Sequence, residues 1–196
     1  MWKSGEKRKW LISVIIVKMN GKQENIRSLP ISNTVEERNL IASSLHDIIL
    51  KDLTNSGFDI LRSSFRGKSD ESIRRCYLIS SLTNHPDKVM WDEHGARFIF
   101  KTDDEIDEVI NWAEAKYDPP KDYGGGYQPW MADYRKNRSE KRSPVMQSEY
   151  EAVHLRLVVV GRLVEVQLVK DEQEIINEGT RVEYELAINK LLESLL

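Results

Sequence analysis

The sequence predicts an α/β (α+β) domain, a mixed β-sheet covered by helices, and three observations carry that expectation. Short apolar or alternating runs of strand length interleave with longer stretches whose apolar residues recur every three to four positions. Apolar residues make up 40% and charged residues 31% of the 196-residue chain, the balance of a globular protein able to build its own core. No internal repeat or low-complexity tract interrupts the pattern, so residues 1–196 read as one domain.

The elements follow in order. Trp10 to Val17 is apolar and β-branched and reads as a buried strand; the basic Lys7-Arg8-Lys9 before it imitates a signal peptide, but the run stops at Lys18 with no small-residue cleavage site. Helical spacing of Leu40, Ile41, Leu45, Ile48 and Ile49 predicts a helix over Val35 to Leu53, stopped by Asn55-Ser56-Gly57. Residues 1–50 thus supply a strand and a helix with no assigned role. Phe58 to Phe65 is expected as a strand, Ser69 to Leu82 as a helix and Arg97 to Lys101 as a strand. Thr102 followed by Asp103-Asp104-Glu105 offers an N-cap hydroxyl and an acidic first turn for a helix to about Tyr117.

Residues 118–148 break the rhythm with Pro119-Pro120, Gly124-Gly125-Gly126, Pro129 and Pro144, and then a basic run of Arg135, Lys136, Arg138, Lys141 and Arg142. A loop of that length in a compact core (51–185) is a functional or a disordered segment. Tyr150 to Val160 and Leu163 to Val169 alternate as two strands about a Gly161-Arg162 turn, and a helix over residues 171–196, interrupted or bent at Gly179, ends the chain.

Several function classes are excluded or weakened. The net charge of -3 is not that of a globally basic nucleic-acid binder. A lone Cys76 forms no internal disulfide, which places the protein in a reducing, cytoplasmic setting. No run approaches the roughly 20 apolar residues of a membrane span. His46, His85 and His94 lack zinc-ligand spacing with Cys76, and no Walker or dinucleotide glycine motif is present.

The hairpin is the informative feature. Outward pairing from Gly161-Arg162 sets Val158 against Glu165 and Arg156 against Gln167. It leaves Leu155, Leu157, Val159, Val164, Val166 and Leu168 on a core face, and gathers Tyr150, His154, Arg156, Glu165 and Gln167 on the other. A plain solvated strand face is the ordinary reading of such a pattern. The convergence of an aromatic, an imidazole, a carboxylate and an amide argues for a site instead.

These residues resemble the RelA/SpoT synthetase family. Tyr150-Glu151-Ala152-Val153-His154 followed by Glu165-Val166-Gln167 is similar to its Tyr-x-x-x-His and Glu-x-Gln strands. Arg66-Gly67-Lys68 with Ser72-Ile73 resembles its Arg-x-Lys-x-x-x-Ser-Ile element, Asp92 to Arg97 its Asp-x-x-Gly-x-Arg element, and Asp133-Tyr134 with the basic run the segment before the signature tyrosine. The resemblance covers about Leu50 to Tyr184. The chain departs from it at Cys76 (a family lysine), Glu149 (glycine), Ala152 (serine) and Val169-Lys170 (Arg-Thr), and lacks the downstream His-Trp element.

The resemblance implies a RelA/SpoT-type nucleotidyltransferase-like domain that moves the β,γ-pyrophosphate of ATP to the 3′-hydroxyl of GDP or GTP, giving (p)ppGpp. It implies Mg2+ as cofactor, held by Asp92 and Glu165, which would be the catalytic pair. Arg66, Lys68, Ser72, Arg75 and Arg97 would bind ATP, and Tyr150, His154, Gln167, Lys136 and Arg142 the acceptor. Two alternatives stay open: a toxic family member that pyrophosphorylates the 3′ end of tRNA, and a degenerate domain that only binds nucleotide or protein. The family also admits a homo-oligomer and an antitoxin protein as partners.

Overall fold

A computed structural model describes residues 34–75, 93–119, 130–135 and 149–195; the expected strand at Trp10 to Val17 lies outside them. Five strands form one sheet in the order β1-β2-β5-β4-β3: β1 (Arg62–Gly67), β2 (His94–Phe100), β3 (Met131–Asp133), β4 (Val153–Val159) and β5 (Arg162–Lys170). Strands β2 and β5 run parallel and every other pairing is antiparallel, so the sheet is mixed, as expected.

Helix α1 (Val35–Asn55) begins where Thr34 accepts a hydrogen bond from the Glu37 N–H, and its Ile41, Leu45, Ile49 and Leu53 form a buried stripe at i, i+4 spacing. Helix α2 (Asp103–Tyr117) starts with a reciprocal capping box between Thr102 and Glu105. Both pack on one sheet face, over Ala96, Phe98, Phe100, Leu155, Leu157, Val164, Val166 and Leu168. Alternation on each strand delivers that apolar set to one side and the polar set to the other.

Helix α3 (Asp171–Leu195) follows β5 with no loop and packs on the opposite, polar side against β2 and β5. There Ile99, Ala152 and Val169 form a small apolar patch with Tyr150 against it. The family's serine and arginine at positions 152 and 169 are thus replaced by apolar side chains that are 2% and 1% exposed.

Several sequence expectations are corrected. The first strand occupies Arg62–Gly67 rather than Phe58 to Phe65, because Phe58 and Ile60 pack on the core as a connecting segment. The second starts at His94, three residues before Arg97. Strand β3 was expected to be loop; its three residues pair with β4 through Met131↔Leu155 and Asp133↔Val153. The hairpin turn is Val160-Gly161, with φ of 50° and 70°, not Gly161-Arg162. Arg156 therefore faces Glu165 and His154 faces Gln167, a two-residue change of partners that keeps each side chain on its expected face. Helix α3 passes through Gly179 without interruption. The expected helix at Ser69 to Leu82 is helical over residues 70–75, and the remainder lies outside the described residues.

Candidate active site

The cross-strand register writes the site as two rows on the α3 side of the sheet. One row reads Arg66, Gly95, Glu165, Arg156 and the next Ser64, Arg97, Gln167, His154, from β1 through β2 and β5 to β4. Glu165 stands on the central strand, with cations toward β1 and an aromatic cluster toward β4.

A hydrogen-bonded chain joins the second row to the carboxylate. Arg97 donates from Nε to Gln167 Oε1 at 3.1 Å, and Gln167 donates from Nε2 to Glu165 Oε1 at 3.0 Å, so the amide orientation is fixed from both ends. His154 Nδ1 lies 3.4 Å from Glu165 Oε2, and its Nε2 lies 2.6 Å from the Tyr150 hydroxyl. With the proton on Nδ1 facing the carboxylate, Nε2 accepts from Tyr150. Tyr134 completes the cluster, its ring edge-on to His154 at 5.2 Å and to Tyr150 at 6.3 Å.

The electrostatics follow from this packing. Burial alone would raise the Glu165 carboxyl, but the adjacent His154, the Gln167 amide and the Arg156 charge outweigh it and hold the group at about 2. It is ionised at any physiological pH. The Tyr150 hydroxyl is pushed up by burial first and then by the Glu165 charge, so it remains a neutral donor.

The ATP-side candidates sit on β1, β2 and the loop after β1. Gly95 has no side chain, and a Cβ there would meet Arg66 Cγ at 3.4 Å and Nε at 3.7 Å; Arg66 therefore lies across β2 toward Glu165. Lys68 donates its N–H to the Glu93 carbonyl and accepts from Arg38 Nε on its own carbonyl. Ser72 receives the Ser69 hydroxyl at 3.0 Å and donates its N–H back to Ser69 Oγ, a cap for the helical segment 70–75.

Helix α3 lays carboxylates on three guanidiniums. Arg62 meets Asp171 and Glu174, Arg97 meets Glu178, and Arg75 meets Glu185 as well as Glu71. Residues 171, 178 and 185 are seven apart and share one face of the helix. Arg75 and Arg97, two of the expected ATP ligands, are thus paired within the protein.

Three positioning features were not singled out from the sequence. Arg38, 2% exposed on α1, ties down the Lys68 carbonyl and Asp70. Gly67 permits this close approach, since a Cβ there would lie 2.6 Å from the Arg38 backbone. On α3, Asn177 bonds both backbone groups of Glu151 and Gln173 bonds the Glu149 carbonyl, clamping the chain on either side of Tyr150. The i, i+4 amide pair was the available signal.

The basic run loses its first member to the interior. Arg135, 7% exposed, is held by Asp133, Asp107 and Asp103. Asp92, Lys136 and Arg142 lie outside the described residues. Among the described residues no group of three or more His, Cys, Asp or Glu side chains converges as a metal cluster, and no described helix is long and apolar enough to cross a membrane.

The mixed sheet, with its helix-covered core face and charged opposite face, is the RelA/SpoT-type synthetase fold. Small alarmone synthetase 1 from Bacillus subtilis aligns at a TM-score of 0.50 and 20% identity, over 80% of this chain and 85% of that one. A GTP pyrophosphokinase family protein from Streptococcus pneumoniae aligns at 0.48 and 15% identity, over 80% and 86%. Small alarmone synthetase 2 from Bacillus subtilis aligns at 0.42 and 18% identity, over 80% and 82%. No family model matches the chain, and no curated protein sequence does.

Proposed function

We propose that this chain transfers the β,γ-pyrophosphate of ATP to the 3′-hydroxyl of GDP or GTP. The observation that carries this reading is the placement of Glu165, an ionised carboxylate on the central strand between the Arg66 side of the sheet and the Tyr150–His154–Tyr134 cluster. Donor phosphates belong on the cationic side and the acceptor base beside the aromatics. Positioning and charge stabilisation are what phosphoryl-group chemistry asks of a protein. The fold neighbour small alarmone synthetase 1 is itself known bound to its product, pppGpp.

Glu165 fits a magnesium ligand better than a general base, because a carboxyl held at about 2 is a weak proton acceptor near neutrality. Asp92 precedes Gly95, the direct neighbour of Glu165, by three positions in the sequence. These two acids would hold the ion, which would neutralise charge on the transferred phosphates. Arg66 and Lys68 would bind ATP phosphates, and the pairing of His154 with Tyr150 orients the shelf on which the acceptor base stacks.

The test is incubation of the protein with γ-labelled ATP and magnesium, offering GDP, GTP, ATP and bulk tRNA in turn. Label in a guanosine nucleotide is expected, abolished in Glu165→Gln and Asp92→Asn proteins that keep their fold. Label in tRNA instead would move the acceptor to the toxic-member reading, whose basic run has already lost Arg135 to Asp133 and Asp107. No label anywhere would leave only a binding domain.

A further inference from the structure

We propose that the free edge of β1 is an interaction surface for the chain's own residues 10–17, Trp10-Leu11-Ile12-Ser13-Val14-Ile15-Ile16-Val17, which add to the sheet as a sixth strand. Such pairing is independent of the proposed activity. Strand β1 stands at one end of the strand order, so one side of its backbone meets no described strand. Lys68 donates its N–H to Glu93 in the β1–β2 register, and alternation from that bond turns Ser64 and Arg66 toward β2 and Ser63, Phe65 and Gly67 away from it. Gly67 is closed off, its N–H bonded to Asn39 Oδ1 at 2.7 Å. Among the described residues no hydrogen bond reaches the outward backbone groups of Ser63 and Phe65. The Phe65 side chain beside them is 44% exposed, and Leu61 at the entry to the strand is 42% exposed.

An open edge of this kind pairs readily with any extended chain, and proteins guard it with charges, prolines or very short strands. At the opposite edge β3 has three residues, whereas β1 has six and no proline. Its two arginines are drawn over the sheet face, Arg62 to Asp171 and Glu174 and Arg66 across Gly95. Residues 10–17 have the matching chemistry: seven of the eight are apolar, five are β-branched, and none is charged or proline. Both alternate sets are apolar apart from Ser13, so either lays an apolar row beside Phe65. The connection is long enough. Helix α1 is capped at Thr34, and its Arg38 and Asn39 touch Gly67 at the end of β1. Residues 18–33 join the two segments, a length of chain that bridges at most roughly 50 Å, against about 20 Å for β1 itself. A second copy fits less well, since two β1 strands paired antiparallel about Ser64 set Arg62 against Arg66, like charges face to face.

Amide hydrogen exchange of the full chain, followed residue by residue by NMR, tests the pairing in wild type and in Val14→Pro, whose proline removes an N–H and breaks the added strand. Slow exchange is expected at Ser63, at Phe65 and at alternate amides of residues 10–17 in wild type. Val14→Pro should speed exchange at Ser63 and Phe65 about tenfold or more, while Phe98 and Leu168 on the inner strands stay within about twofold. Rapid exchange at Ser63 and Phe65 in wild type overturns the inference. So does protection that survives Val14→Pro, whether it rises with protein concentration, as a second copy on the edge requires, or does not, as cover by another segment requires. Should Val14→Pro fail to fold, wild-type couplings across the hydrogen bonds must still connect Ser63 and Phe65 to residues 10–17, and their absence is equally fatal.

Discussion

Arg66 crosses Gly95, whose missing side chain is the space through which the guanidinium approaches Glu165. The glycine of the Asp92–Arg97 segment is therefore a seat for an arginine two strands from the carboxylate. A Cβ at 3.4 Å from Arg66 Cγ is an ordinary contact, so Gly95→Ala should keep near-normal kinetics. A β-branched side chain would not leave that room. Gly95→Val is expected to raise KM for ATP by about tenfold, the loss of one charge-assisted phosphate contact. Steady-state kinetics on the two variants check it, and an unchanged KM in the valine protein would refute the seat.

The ionised Glu165 makes a pH prediction about the fold. Its carboxyl is lowered from an ordinary 4.5 to about 2, so the unfolded chain takes up this proton first as pH falls. The stabilisation is complete above about pH 4.5 and disappears as pH drops through about 2. It amounts to roughly 3 kcal/mol for a side chain only 13% exposed. Urea unfolding between pH 6 and 2 should show a shallower acid loss in Glu165→Gln than in wild type; parallel curves would mean the carboxylate is not held by His154, Gln167 and Arg156.

If Arg75 and Arg97 bind ATP as proposed, the carboxylates of α3 that pair with them would compete with substrate. Glu178, 48% exposed, pairs with Arg97, and surface pairs of this kind contribute at most about 1 kcal/mol to stability. Glu178→Gln should leave thermal stability nearly unchanged while lowering KM for ATP several-fold, because Arg97 no longer exchanges one anion for another. Kinetics at two salt concentrations decide it. Equal KM values in both proteins would show that Arg97 does not meet ATP.

Arg135 behaves in the opposite way to the rest of its basic run. Burial disfavours its charge, but Asp133 and Asp107 more than restore it, so it stays protonated among three acids that join β3 to α2. Removing one partner of a buried ionic group strands the others and typically costs about 3–5 kcal/mol. Arg135→Ala should therefore lower the urea midpoint markedly, with no separate effect on acceptor choice. A change in acceptor preference at wild-type stability would return Arg135 to the substrate side.

Much of this arrangement was legible in the chain, for identifiable reasons. Strict alternation over Leu155, Leu157, Val164, Val166 and Leu168 fixed the two faces of the hairpin, and Thr102 with Glu105 announced α2. What failed was whatever depends on partners remote in sequence. Strand β3 is three residues long and is held at its ends by remote partners, the Trp130 carbonyl accepting from the Arg156 N–H of β4 and the Tyr134 N–H donating to the Ala152 carbonyl just before β4. The pairing of Arg62, Arg75 and Arg97 with α3 joins residues 81 to 112 positions apart, a distance over which no local pattern speaks.

The hairpin turn was misplaced because it sets valine where sequence rules reject it. Val160 and Gly161 have φ of 50° and 70°, positive at both central positions as a two-residue type I′ hairpin requires, and a β-branched residue is disfavoured there by about 1–2 kcal/mol. Val160 is kept in place by partial burial against the core edge, an opposing gain that an exposed turn residue would not have. Asn tolerates the left-handed region, and Asn-Gly is the favoured pair for this turn. Val160→Asn should therefore raise Tm by about 2–4 °C for a net gain near 1 kcal/mol. Val160→Ala, which keeps the strained backbone and loses the packing, should lower it. Thermal unfolding of both variants separates the two terms, and a destabilised asparagine protein would mean that packing of the valine outweighs its strain.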